Sequence, residues 1–261
     1  MNSWLKNILW LIFIILIWVG MGFVRSSKEH QKMNAPEINI DVFEDQVFLT
    51  KDDVLYRLKN QGLIGDSIAF KDLNFEEIEN FLGQMSEIKS VDVYTKAGNE
   101  WGINIKLRQA IARIFNLDGT SCYLDKDGTL MPLSPNYSAH VITVNGYINE
   151  NDFTKSVDQV INNDSLKTIE ILDDLYQISN YVCLDKFFSS QITHIYVNAN
   201  KGFELIPRVG NQRILFGKAE HIAGKFKKLE VFYTEGINHT GWEKYDTINV
   251  MYKNQVVCSK R

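Results

Sequence analysis

The amino-acid sequence predicts an α+β protein with a single N-terminal transmembrane helix, a small β-α-α-β-β domain, and a β-rich domain with a mixed sheet and flanking helices. Three observations predict this class. An apolar run without charges occupies residues 8–24. Helical and alternating apolar patterns follow one another between residues 38 and 108. Short alternating segments between Asp-Gly turns dominate from residue 109 onwards.

The apolar run reads ILWLIFIILIWVGMGFV. At about 1.5 Å per residue, a helix of this length covers roughly 26 Å, near the short end of a membrane span. A cleaved signal peptide usually has an apolar core of only about 7 to 15 residues. We therefore predict a short cytoplasmic tail at 1–7, a retained membrane helix at 8–24 and a linker at 25–37. The membrane-anchoring residues in this prediction are Ile8, Trp10, Trp18 and Val24.

The charges that flank the apolar run leave its orientation open. Lys6 precedes the run, whereas Arg25, Lys28 and Lys32 follow it. Because lysine and arginine accumulate on the cytoplasmic side of membrane helices, this count disfavours export of the body of the chain. Short N-terminal tails are nevertheless translocated, so charge alone does not fix the topology.

The pattern in segment 38–108 predicts one strand, then two helices, then two strands. Thr50 followed by Asp53 forms a capping-box pattern at the start of the first helix. Asn74 starts the second helix, whose apolar stripe is Ile78, Phe81, Leu82 and Met85. Alternating apolar residues predict strands around 38–42, 91–93 and 101–107.

The remainder of the chain predicts a sheet with two main helices. Asp118-Gly119 and Asp127-Gly128 are hairpin signals. Helical patterns occupy about 165–184 and 222–233, and alternation predicts strands at 192–197, 203–206 and 213–216. The chain closes with a hairpin that contains Ile248, Val250 and Tyr252 at alternate positions.

Composition excludes several classes of function. The net charge is −4 and no long basic run occurs, so nucleic-acid binding is not expected. The three cysteines, Cys122, Cys183 and Cys258, are far apart and form no C-x-x-C motif, which argues against a disulfide framework or a zinc site. We expect no metal site, no cofactor and no small-molecule substrate.

One motif resembles a catalytic signature. Asp125-Lys-Asp127-Gly-Thr129 is similar to the D-x-D-G-T motif of haloacid-dehalogenase (HAD-like) phosphatases, where the first aspartate attacks phosphorus and the second is the acid/base. That motif normally follows a buried strand, but here a turn precedes it. We therefore interpret Asp127-Gly128 as a hairpin turn and keep an anchored phosphatase as a remote alternative.

Several segments together carry a family likeness. They are residues 48–54, 88–93, 101–113, 123–133, 214–217, 225–229 and 244–252. In order and spacing they resemble the FtsQ/DivIB family of bacterial cell-division proteins. The resemblance implies a POTRA domain at 38–108 and an FtsQ-type β domain at 109–261. It implies a non-catalytic scaffold of the divisome, anchored as a single-pass protein in the inner (cytoplasmic) membrane, with its body outside the cytoplasm at the division septum.

The resemblance also implies partners. The main one is an FtsB/FtsL-type pair that adds a strand to the late edge of the β domain, and FtsK-like or FtsW/FtsI-like proteins and membrane lipid are further candidates. Strand addition requires an open edge of backbone N–H and C=O groups. The residues expected at this edge are Ile248, Val250, Tyr252, Asn254, Gln255, Val256 and Val257. Another POTRA-bearing membrane protein with a chaperone or transport role is the alternative.

Overall fold

The computed structural model describes residues 4, 10, 12–19, 34–65, 68–97, 100–149 and 170–260. The chain divides into two compact units. One unit contains the chain up to Asp41 together with Leu49–Lys106, and the other contains Val42–Phe48 and Leu107–Arg261. Each unit has its own sheet. The domain limits inferred from the sequence, 38–108 and 109–261, stay a prediction.

The first unit has a three-stranded sheet with two helices. The strands are β1 (Glu37–Asp41), β2 (Ile88–Lys96) and β3 (Glu100–Leu107), and the helices are α1 (Lys51–Asn60) and α2 (Phe75–Gly83). The strand order is β1-β3-β2, and β1 runs parallel to β3. A short 3₁₀ turn, Phe70–Asp72, precedes α2.

Local capping explains where both helices start. The Thr50 side chain accepts a hydrogen bond from the Asp53 N–H at 3.2 Å, and Asp53 accepts one from the Thr50 N–H at 2.9 Å. This reciprocal pair confirms the predicted capping box and satisfies two donors that have no partner within the helix. Asn74 caps α2 in the same way by accepting from the Glu77 N–H. Ile78 and Leu82 on the predicted stripe are fully buried.

The second unit is built on a nine-stranded mixed sheet. Its strands are β4 (Ala110–Phe115), β5 (Ser121–Asp125), β6 (Leu130–Met131), β7 (Ile142–Gly146), β8 (Ile192–Val197), β9 (Phe203–Pro207), β10 (Arg213–Gly217), β11 (Tyr245–Asn249) and β12 (Val257–Lys260). The spatial order is β12-β11-β10-β9-β8-β7-β4-β5-β6. The β4–β7, β7–β8 and β10–β11 pairs are parallel, and the β4–β5, β5–β6, β8–β9, β9–β10 and β11–β12 pairs are antiparallel.

Helices lie over the apolar side of this sheet. They are α3 (Glu170–Leu184), α4 (Lys186–Gln191), α5 (Ile222–Val231) and α6 (Ile237–Thr240), and a π-helical turn, Phe232–Gly236, joins the last two. Tyr181 of α3 stacks on Phe226 of α5 with ring centroids 4.4 Å apart. The part of the predicted helix before residue 170 lies outside the described residues.

One row of apolar side chains crosses the sheet from β5 to β12. Strand register aligns Cys122, Ile114, Val144, Ile195, Leu205, Ile214, Ile248 and Cys258. All of these are buried except Cys258, which is half-buried. Burial of each branched side chain contributes about 1.5–3 kcal/mol, so this row stabilises the sheet from β5 to β12.

The predicted transmembrane helix is wrong. Among the described residues, no helix is both long enough and apolar enough to cross a membrane. Residues 12–19 of this region are helical. Trp10 and Trp18 are exposed, and Ile8 and Val24 lie outside the described residues. The α+β class with a mixed sheet and helices is confirmed for the described residues from 34 onwards.

Candidate protein-binding edge

The strand β12 forms one end of the nine-stranded sheet. It pairs with β11 in antiparallel register, with Ile248 opposite Cys258 and Asn249 opposite Val257. Within the part of the chain that the structure describes, no strand pairs with the other side of β12. An end strand presents unpaired backbone N–H and C=O groups, which is the requirement for adding a strand from another protein.

The predicted edge residues fall into two groups. Ile248 and Val250 are 0% exposed, so their side chains belong to the core of the unit. Five residues from the turn and the start of β12 remain accessible: Tyr252, Asn254, Gln255 and Val257 are exposed, and Val256 is half-buried. Tyr252 is the largest of them, with 51% of its surface exposed. Their role in partner binding stays a prediction.

The turn between β11 and β12 carries Tyr252 and is held from several sides. The Met251 N–H donates to the Asn249 side chain at 2.9 Å. The Val250 N–H donates to the Leu215 carbonyl at 3.1 Å, which extends the contact with β10. Asn254 has a φ of 57°, in the left-handed region that asparagine tolerates better than most residues. These contacts define the conformation in which Tyr252 is presented.

A lysine on α5 also reaches this turn. The Lys228 ammonium donates to the Val250 carbonyl at 2.6 Å and to the Tyr252 carbonyl. Sequence reasoning missed this residue, because Lys228 and Val250 are 22 residues apart in the sequence and no spacing pattern predicts the contact. In the sequence, the basic run Lys225–Leu229 belongs only to the set of segments that resemble the FtsQ/DivIB family.

A shallow groove runs beside the turn. It has a volume of ≈ 550 Å³ and lies between the end of α5 and residues 254–256. Val231, Phe232 and Val256 supply its apolar surface, and Lys227 and Glu235 are among the charged residues that line it. An apolar side chain from a bound segment therefore has a place to pack next to β12.

The phosphatase-like motif has a different geometry from a catalytic one. Asp125 is 0% exposed. One of its carboxylate oxygens accepts from the backbone N–H groups of Asp127 at 2.9 Å and Thr129 at 2.6 Å, and the other accepts from Arg108 at 3.0 Å. Burial raises the pKa of Asp125, although hydrogen bonds from Thr129 and Arg108 oppose that shift. A buried carboxylate with both oxygens engaged cannot attack phosphorus, so Asp125 closes the β5–β6 hairpin.

The cysteines do not form a reactive site. All three are free thiols. Burial raises the pKa of Cys122 to about 12 and also raises the pKa of Cys183 and Cys258. Because the thiolate is the reactive form, these shifts disfavour nucleophilic chemistry at neutral pH. Among the described residues, no group of three or more His, Cys, Asp or Glu side chains could hold a metal ion.

Together, these features define an α+β protein whose large mixed sheet ends in β12, a strand that pairs on one side only within the described residues and lies beside an exposed aromatic residue and a groove. The model of the family described as FtsQ/DivIB, C-terminal related, matches residues 109–259, from the start of β4 into β12. The chain belongs to this family, and this membership supports its assignment as a cell-division protein. FtsQ/DivIB proteins are generally non-catalytic. No curated protein matches the chain.

Proposed function

We propose that this chain is a non-catalytic scaffold of the bacterial division machinery and binds an FtsB/FtsL-type pair by strand addition to β12. The observation that carries the proposal is that one side of β12, at the end of the sheet, has no strand paired to it among the described residues. No proline interrupts the sequence from Tyr245 to Lys260, so the backbone keeps its donors. Family membership supplies the cell-division context.

The size of the edge suggests what else the partner contacts. β12 has four residues, Val257–Lys260, which extend about 14 Å at about 3.4 Å per residue. Stable protein interfaces bury roughly 1,200–2,000 Å² in total, more than a pairing of four residues provides. The partner therefore also contacts the exposed turn and the groove beside it.

Tyr252 is the proposed anchor of this larger surface. Tyrosine is enriched at binding hot spots because its ring contributes a large apolar area and its hydroxyl can form a hydrogen bond. It lies on the turn that immediately precedes β12, so a strand added to β12 passes close to it. We further propose that the body of the chain works outside the cytoplasm at the division septum, where FtsK-like and FtsW/FtsI-like proteins are additional partners.

The test is the substitution Tyr252→Glu in the full chain, with binding to a purified FtsB/FtsL-type pair measured by biolayer interferometry. Loss of a hot-spot aromatic should raise the Kd by about 30-fold or more, because such residues are typically worth at least about 2 kcal/mol. Tyr147→Glu is the matched control, since Tyr147 is 56% exposed and follows β7 instead of preceding β12. Unchanged affinity of the Tyr252→Glu chain would refute the site.

A further inference from the structure

Lys228 lies in the last turn of α5 and makes an unusual set of contacts for a helix-end lysine. Its ammonium donates to the backbone carbonyls of Val250 and Tyr252. These two carbonyls lie on either side of Met251, in the turn that leads from β11 to β12. A lysine ammonium has three N–H donors, so it can hold both carbonyls at once.

The contact with Lys228 lies at the place where the chain passes from the core to the surface. Val250, on one side of Lys228, is fully buried, whereas Tyr252, on the other, is half exposed. The chain leaves the core and reaches the surface within these three residues. The attachment to α5 therefore lies at the point that determines how Tyr252 projects and how the chain enters β12.

A second contact, between Met251 of this turn and Gly217 of β10, also restricts the turn. Gly217, at the end of β10, has a φ of 73°, and a Cβ at this position would lie 2.7 Å from the Met251 sulfur. The absence of a side chain at Gly217 leaves the space that Met251 occupies. Met251 is thus packed against β10 while the carbonyls on either side of it bind Lys228.

We propose that Lys228 is a positioning residue that fixes the β11–β12 turn in the conformation required for partner binding. The proposal rests on the proposed function and adds a helix residue to its site. Hydrogen bonds from a charged donor are stronger than neutral ones, so the loss of this ammonium frees the turn. A binding surface that is already ordered loses less entropy on association, so the freed turn binds its partner more weakly.

Three variants of the full chain test the proposal. Lys228→Met keeps the length of the side chain and removes the donors. Lys228→Arg restores several N–H donors and the charge. Lys186→Met is the matched control, because Lys186 is an exposed lysine on helix α4 of the same unit and does not line the groove beside the turn.

Two measurements are made on each variant. The first is the Kd for the FtsB/FtsL-type pair, which should rise about tenfold in Lys228→Met through loss of pre-organisation and stay within about threefold of the original value in the other two variants. The second is hydrogen exchange of the free chain. Amides of residues 251–256 should exchange faster in Lys228→Met only, while amides of β9 and β10 keep their protection.

The outcomes separate this proposal from the proposed function. Unchanged turn exchange or unchanged Kd in Lys228→Met would overturn the positioning role. An equal loss of affinity in Lys186→Met would also overturn it, because the effect would then come from the loss of a positive charge and not from the turn. If Tyr252→Glu binds as tightly as the original chain while Lys228→Met loosens the turn, Lys228 orders the turn but the proposed partner site is wrong.

Discussion

The two end strands of the nine-stranded sheet, β6 and β12, differ in the features that protect an outer strand against pairing with another protein. At one end, β6 has only two residues, and Pro132 follows it directly. The Ser134 hydroxyl then donates to the Phe48 carbonyl at 2.8 Å and ties the departing chain to its own unit. At the other end, β12 has four residues and no proline.

The β6 end is therefore protected against strand pairing in ways that the β12 end is not. Short strands and prolines are common means of blocking unwanted pairing at sheet edges. The β6 end uses both, and the β12 end uses neither. The two ends also differ in what lies beside them, since the β5–β6 hairpin is closed by the buried Asp125–Arg108 pair, whereas β12 adjoins an exposed tyrosine and a groove.

The largest expected effect is on stability at the β6 end. Asp125→Ala removes one partner of a pair in which Asp125 is 0% and Arg108 21% exposed. It should lower the free energy of unfolding by about 3 kcal/mol, because breaking a buried pair leaves the other charge and two backbone N–H groups without their acceptor. Urea denaturation measures this change. The Kd for the FtsB/FtsL-type pair should not change under conditions where the variant is folded, and a large change in Kd would show that the β6 end takes part in binding.

A smaller effect is expected on binding at the β12 end. Val257 on β12 and Leu133 just after β6 are each 41% exposed, which makes them a matched pair. Val257→Lys should raise the Kd about tenfold, or about 1.4 kcal/mol, because a charge at an edge strand opposes pairing. Leu133→Lys should leave the Kd unchanged. Calorimetric titration of both variants with the same partner pair tests the contrast, and equal effects would mean that the two ends do not differ in function.

Sequence patterns predicted the local parts of both ends. The Asp127-Gly128 turn marked the β5–β6 hairpin because glycine readily adopts the φ of 84° found at Gly128. The alternation of Ile248 and Val250 predicted the strand that the structure shows as β11. Such signals depend on neighbouring residues and are therefore visible in the sequence.

Long-range contacts were not predictable in the same way. Arg108 reaches Asp125 across 17 residues, and Lys228 reaches Val250 across 22. The sequence predicts Ile248 and Val250 at the partner-facing edge, and both side chains are buried. They are buried because the apolar side chains at alternate positions pack into the core of their own unit. Tyr252 has the same parity but is exposed, since the strand ends at Asn249 and the chain turns away.

The apolar N-terminal run shows the limit of composition as a guide. Hydropathy and the length of the run predicted a membrane helix over 8–24, but no helix within the described residues meets the length and apolarity that a span requires. The assignment of this chain to the FtsQ/DivIB, C-terminal related family does not depend on that run, because the match begins at residue 109.

The most direct test of strand addition is hydrogen exchange of the full chain with and without the FtsB/FtsL-type pair. Amides that gain a cross-chain hydrogen bond become protected, and local exchange identifies them. Binding at the open end should slow exchange in Val257–Lys260 and in the preceding turn, and leave Leu130–Met131 unchanged. Protection at β6, or no added protection at β12 when the pair is bound, would contradict partner binding by strand addition at this edge.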